Sequence, residues 1–178
     1  MALSPVGRIS FPNLHGKKND RGEIRHDIVL VFDKKAQESA KFKEMEEAIQ
    51  EAAKAKFGDK VPTGISRKSL AKKSGYPITA VEESPDWYGW ANEGDVFISF
   101  SSKYQPEIYD MEKEEIVDVA SQIYAGAFGR VSWTTYAYDQ NGNKGVSFGL
   151  KLFQKTDDGD KLTGGGSAKN EIDDDEEF

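Results

Sequence analysis

One stretch limits what this chain can become: residues 124–155, YAGAFGRVSWTTYAYDQNGNKGVSFGLKLFQK. Near its middle stands Asn141-Gly142, the strongest short-range signal for a β-hairpin, because both residues tolerate positive φ. The arm before it, residues 130–138, is rich in β-branched and aromatic side chains, as a pleated strand prefers. The arm after it covers residues 146–153, and residues 139–145 form the connection.

Side chains alternate between the two faces of a strand. On the second arm Val146, Phe148, Leu150 and Leu152 share one face, and Lys151, Phe153 and Lys155 share the other. On the first arm Val131, Trp133 and Thr135 lie opposite Arg130, Tyr136 and Tyr138. One side of the hairpin therefore reads as core. The other carries tyrosines, a phenylalanine and cations, which suits stacked bases and phosphates. Packing of the same rings under a neighbouring helix or loop is the plainer alternative. A single β-bulge exchanges the two faces of an arm beyond it.

The length of 178 residues favours one domain with a tail. With no cysteine there is neither a disulfide framework nor a thiolate metal site, and two histidines are too few for a His-rich one. No apolar run approaches the roughly 20 residues of a membrane span, and the start, MALSPVGRIS, has no apolar leader. A cytoplasmic protein without membrane contact is expected. The net charge of −7 is unevenly spread. Residues 1–73 hold 16 basic against 10 acidic residues, residues 74–163 hold 7 against 15, and residues 164–178 hold one against 6. A basic first half and an acidic end speak to partners rather than to fold.

Along the chain, residues 6–11 read as a first edge strand stopped by Pro12, and residues 15–25 as a polar, partly basic loop with Lys17, Lys18, Arg21 and Arg25. Residues 26–32 (HDIVLVF) form a nearly continuous apolar strand. Asp33 caps a helix over residues 36–57, with apolar residues near helical spacing, and Gly58 ends it. Residues 60–75 are a polar connector in which Arg67, Lys68, Lys72 and Lys73 form either a phosphate-following patch or a solvated loop. Trp87 and Trp90 sit in a Pro/Gly context and either plug the core or stack; together with Trp133 they are assigned to the core. Residues 95–104 alternate as a strand, with Lys103 on the same face as Phe97, Ser99 and Ser101. Residues 112–122 form a short helix or turn. The carboxylates of residues 157–160 lack the spacing of a calcium loop, so no metal is assigned. Gly164-Gly165-Gly166-Ser167 is a flexible linker, and Asp173, Asp174, Asp175, Glu176 and Glu177 lead to Phe178 in an acidic, solvated tail.

No nucleophile elbow, phosphate loop or zinc pattern is present, so enzyme chemistry and a bound cofactor are not expected. The pieces fit binding of single-stranded DNA. Rings stack bases without regard to sequence, and lysines attract phosphates in a salt-dependent way. A protein-interaction module without nucleic-acid binding, or a metal-dependent nuclease with scattered carboxylates, are the alternatives.

The second half of the chain also resembles a family of phage-encoded single-stranded-DNA-binding proteins. The residues that carry the likeness are Tyr124-Ala125-Gly126, Tyr136 and Tyr138, Asn141 to Val146 (NGNKGV), Leu150, Gln154-Lys155, Asp158-Gly159 and Leu162. Ser102-Lys103 with Pro106, and Ile9-Ser10-Phe11-Pro12, fit as well. Ala127-Phe128 departs from the cysteine and tyrosine expected there, which weakens any stacking role for position 128. The resemblance implies a mainly β protein: an OB-fold-like five-stranded Greek-key barrel with one long inserted helix over residues 1–163, and a tail over residues 164–178. It implies sequence-independent binding of single-stranded DNA in replication or recombination. The strand is expected across Lys103, Arg130, Tyr136, Tyr138, Lys151 and Phe153, flanked by Arg67, Lys68, Lys72 and Lys73. The expected partners are single-stranded DNA and, through the tail, replication or recombination proteins; self-association stays open.

Overall fold

In the computed structural model, which describes residues 2–83 and 91–162, seven strands and four helices follow one another along the chain. They are β1 (Gly7–Lys18), β2 (Ile24–Phe32), α1 (Lys34–Gln37), α2 (Ala40–Phe57), α3 (Thr63–Ser66), β3 (Ile78–Ala80), β4 (Val96–Ser102), β5 (Glu107–Tyr109), α4 (Val119–Gln122), β6 (Phe128–Gln140) and β7 (Asn143–Asp157). Trp87 and Trp90 lie outside the described residues, as does the chain beyond residue 162.

The β6–β7 hairpin exceeds its sequence signal. Its strands pair from Phe128–Asp157 to Gln140–Asn143, so only Asn141 and Gly142, at φ 53° and 83°, make the turn instead of seven residues. The remaining strands close a ring around it. β6 pairs with β1, β1 with β2, β2 with β4, and β4 returns to β7 in parallel through Phe100–Phe148 and Ser101–Gly149. The order β1–β2–β4–β7–β6 is that of the five-stranded, partly open OB barrel. β3 and β5 extend it beside β4 and β7.

Inside the ring lie Ile9, Leu30, Phe32, Phe100, Phe148 and Phe153, all fully buried. Trp133 meets Phe148 edge-on at 5.4 Å. Helix α2 sits between the second and third barrel strands in sequence. It buries Phe42, Met45, Ile49 and Ala53, one stripe of the helix, against β6 and β7.

Several expectations change with the structure. The single helix expected over residues 36–57 is two helices, because Ser39 adopts extended ψ and its hydroxyl accepts from the Phe42 N–H, starting a new helix after the one-turn α1. Strand β1 does not stop at Pro12. A bulge between Ser10 and Asn13 absorbs the proline, and the strand runs on through the expected loop to Lys18. Residues 112–122, expected as a short helix or turn, are turns and bends followed by the single helical turn of α4.

The most consequential change is in β7. Ser132 pairs with Leu152 and Trp133 with Leu150, so Lys151 is an extra residue bulged out of the ladder. The bulge reverses every face after it. Phe153 therefore turns inward opposite Val131 and is fully buried, rather than standing outside with the tyrosines.

Candidate nucleic-acid interface

Ring closure decides where polar groups gather. The parallel β4–β7 pairing sets the end of β4 beside the hairpin, and the β2–β4 pairing brings the β1–β2 turn to the same rim. The result is a recess of about 590 Å³. Asn19, Arg21, Glu23 and Arg25 line it from the β1–β2 hairpin, Ser101 to Lys103 from the end of β4, and Tyr136, Tyr138 and Gln140 from β6. Tyr138 and Gln140 also line a second recess, of about 660 Å³, with Lys73 to Gly75 on one side and Gly142 to Lys144 on the other. The two make one trough with Tyr138 at its centre.

The trough is built to be positive. It holds five cations, Arg21, Arg25, Lys73, Lys103 and Lys144, against the single carboxylate of Glu23. Arg25 donates to the Ser101 hydroxyl at 3.2 Å, which fixes its guanidinium over the floor. Tyr136 presents its ring, at 42% exposed. Tyr138 lies across its partner Gly145, where an added Cβ would stand 2.4 Å from the tyrosine hydroxyl and 2.8 Å from the Gly75 carbonyl. The glycine thus lets the ring and the loop wall of residues 63–75 meet. That wall is tied to the hairpin by the Val146 N–H, which donates to the Gly75 carbonyl.

Of the residues singled out from sequence, Lys103, Tyr136, Tyr138 and Lys73 converge on the trough. The others do not. Phe153 is in the core. Lys151 is exposed at its bulge but lines neither recess. Arg130 is six residues from Tyr136 along β6, about 20 Å by strand rise. Its Nε donates to Gln154, and it borders a separate hollow with Leu3, Tyr109, Lys113 and Leu152. Arg67, Lys68 and Lys72 are exposed on the loop behind Lys73, and the Lys68 ammonium is 3.9 Å from Glu46. Arg21, Arg25 and Lys144 also line the trough, although the sequence singles out none of them for the candidate site. Basic residues at 21 and 25 were visible in sequence, but only the extension of β1 and β2 into a hairpin directs them to this rim.

Several of the residues that carry the family likeness meet elsewhere, at a clasp. The Tyr124 hydroxyl donates to Asp158 at 2.9 Å, and Lys155 pairs with the same carboxylate. Lys155 and Lys161 lie over the Tyr124 ring at 5.2 and 5.5 Å. The Leu162 N–H donates to the Ala125 carbonyl, and Gly126, at φ 110°, leaves room for the Asp160 carbonyl that any Cβ would strike. The Lys155 ammonium first, then the tyrosine hydroxyl, hold the Asp158 carboxyl below its ordinary range. The clasp holds Asp158 to Leu162, the chain's last described residues, against Tyr124 to Gly126, the segment that leads into β6.

An OB barrel with a cation-rich, tyrosine-bearing trough at its rim is the architecture of proteins that take up a nucleic-acid strand. The chain belongs to the family of the single-stranded-DNA-binding protein of Enterobacter phage Enc34, whose model matches residues 3–178. Among solved structures, the Enc34 protein in complex with single-stranded DNA superposes with a TM-score of 0.70 at 20% identity, over 90% of this chain and 88% of that one. The single-stranded-DNA-binding protein gp2.5 of bacteriophage T7 superposes with a TM-score of 0.60 at 11% identity, over 89% and 92%. A curated relative, the putative protein p50 of Acyrthosiphon pisum secondary endosymbiont phage 1, is 36% identical over 93 residues. That match spans 52% of this chain and 49% of the relative.

Among the described residues no helix is long and apolar enough to cross a membrane, and no group of three or more His, Cys, Asp or Glu is placed to hold a metal ion.

Proposed function

We propose that this chain binds single-stranded DNA with little sequence preference and coats it during phage replication or recombination inside the host cell. The observation that carries the reading is the convergence of five cations and two tyrosines on one trough at the barrel rim. Cations there hold phosphates, and Tyr136 and Tyr138 offer faces to bases, a mode indifferent to base identity. Family membership supports it.

Residues 1–163 are the binding domain in this reading, and residues 164–178 the regulatory tail. The run from Asp173 to Glu177 carries the same sign as DNA, so it competes for the trough when no strand is present. Displaced by DNA, the run and Phe178 become available to replication or recombination proteins. If substitution of Phe178 leaves capture of a phage or host polymerase unchanged, the aromatic is not the hook.

Titration with fluorescent oligo(dT) tests the core of the proposal. Binding should weaken with salt and strengthen when residues 167–178 are removed. Absence of binding at low salt, even without the tail, overturns it and leaves the protein-interaction reading. Cleavage of the oligonucleotide that requires a divalent metal would replace it with a nuclease.

A further inference from the structure

The bulge that carries β1 past Pro12 does something unusual with the residue before it. Ser10 pairs with Val29 and Asn13 with Asp27, so Phe11 and Pro12 together face Ile28 alone. Phe11 takes up the distortion at φ 47°, a region that bulky side chains rarely enter. Glycine or asparagine would occupy it with less strain. The residue is 49% exposed, so about half of it is offered to solvent instead of being sealed in the core. Strained conformations held at a surface are concentrated at binding sites.

The ladders show what surrounds Phe11. Asn13 pairs with Asp27, and Asp27 with Ser101, whose hydroxyl accepts from Arg25 of the trough. The adjacent row is Ser10, Val29 and Ser99. From Ser101 to β1 is two strand spacings, about 10 Å, the length of three stacked nucleotides at roughly 3.4 Å each. The floor between is low, since β4 contributes only serines there. Asp27, which accepts from the Asn13 amide at 2.9 Å, puts a carboxylate on that floor. It repels phosphates toward the Arg25 and Lys103 side and leaves the base edges to turn toward β1.

We propose that Phe11 is a base-stacking platform that extends the trough across the outer surface of β4, β2 and β1. The inference rests on the single-stranded-DNA reading and adds a subsite to it. In oligo(dT) titrations of the full chain, Phe11→Gly and Phe11→Leu should weaken binding about 5- to 150-fold, the range for loss of one stacked base. Phe11→Tyr should bind like the wild type. Phe11→Gly should melt at or above the wild-type temperature, because it removes the strained φ without emptying the core. That separates a binding role from a structural one. Unchanged affinity in the leucine variant overturns the proposal, and so does wild-type affinity in the glycine variant. If the glycine variant does not fold, the leucine and tyrosine pair decides alone. Wild-type protein that fails to bind oligo(dT) defeats the underlying reading. Wild-type binding weakened by Tyr136→Ala but not by Phe11→Leu defeats only this subsite.

Discussion

Tyr136 and Phe153 belong to the same hairpin, and one bulged lysine sends them to opposite environments. Their substitutions should therefore fail in different assays. Tyr136→Ala removes an exposed ring and leaves the core intact. It should cost about 1–3 kcal/mol of oligo(dT) affinity with little change in melting temperature. Phe153→Ala empties a fully buried site and should cost about 3–5 kcal/mol of folding stability. Fluorescence titration and thermal melts of both variants check the contrast. A third residue, Asp158, should reveal itself through pH. Its folded-state pKa is lowered from 3.8 by Lys155 and Tyr124, so its contribution is complete above the unfolded value and is lost as pH falls through the lower folded value. Asp158→Asn should be less stable than the wild type at neutral pH. The gap between their melting temperatures should close as the solution is taken below about pH 4.

At the scale of the element, the glycines of the clasp and trough are sharper points than the helices. Helix α2 should lose only about 1 kcal/mol, or roughly 2–4 °C, on Ser39→Ala, which removes the capping bond from the Phe42 N–H together with the hydroxyl's donation to the Ala36 carbonyl at the end of α1. Gly126→Ala faces both a positive φ and a carbonyl in the space of its new Cβ. It should release the clasp and melt well below Ser39→Ala, as differential scanning calorimetry would register. The elements themselves were legible to unequal degrees. Asn141-Gly142 announced the hairpin, and the alternation of Val96, Ile98 and Phe100 announced β4, since local signals set both. The bulges at Phe11 and Lys151 were not legible. They arise where the ring must close and where Pro12 must pass, which are demands of the whole barrel. This is why Lys103, Tyr136 and Tyr138 were found correctly on an outward surface, whereas Phe153 was assigned to the wrong face. Arg25 was passed over because it read as part of a loop, and its direction depends on pairing of β2 with a strand about 75 residues away.

The molecule as a whole is acidic, at −7, yet it presents a trough with five cations and one carboxylate. What a strand of DNA meets is the local sign, because at physiological salt fields are screened beyond about 8 Å. Each phosphate held by a cation releases a counterion, and for single strands the logarithm of the binding constant falls with that of salt at a slope of about −0.7 per contact. Five contacts set a limit near −3.5, and removing one cation with Lys103→Ala or Arg25→Ala should flatten the slope by about 0.7. The tail enters the same balance. Deleting residues 167–178 removes six acids and one lysine, taking the net charge from −7 to −2. If the tail competes for the trough, its loss should strengthen oligo(dT) binding most at low salt, where attraction between tail and cations is strongest. The advantage should vanish as salt rises. A tail that merely lowers the overall charge would repel DNA from outside the trough. Its deletion would then help the Lys103→Ala variant as much as the wild type. Competition predicts a smaller gain in that variant, because the groove the tail occupies has lost part of its hold. Binding isotherms for the four proteins, with and without the tail and with and without Lys103, across a salt series separate the two.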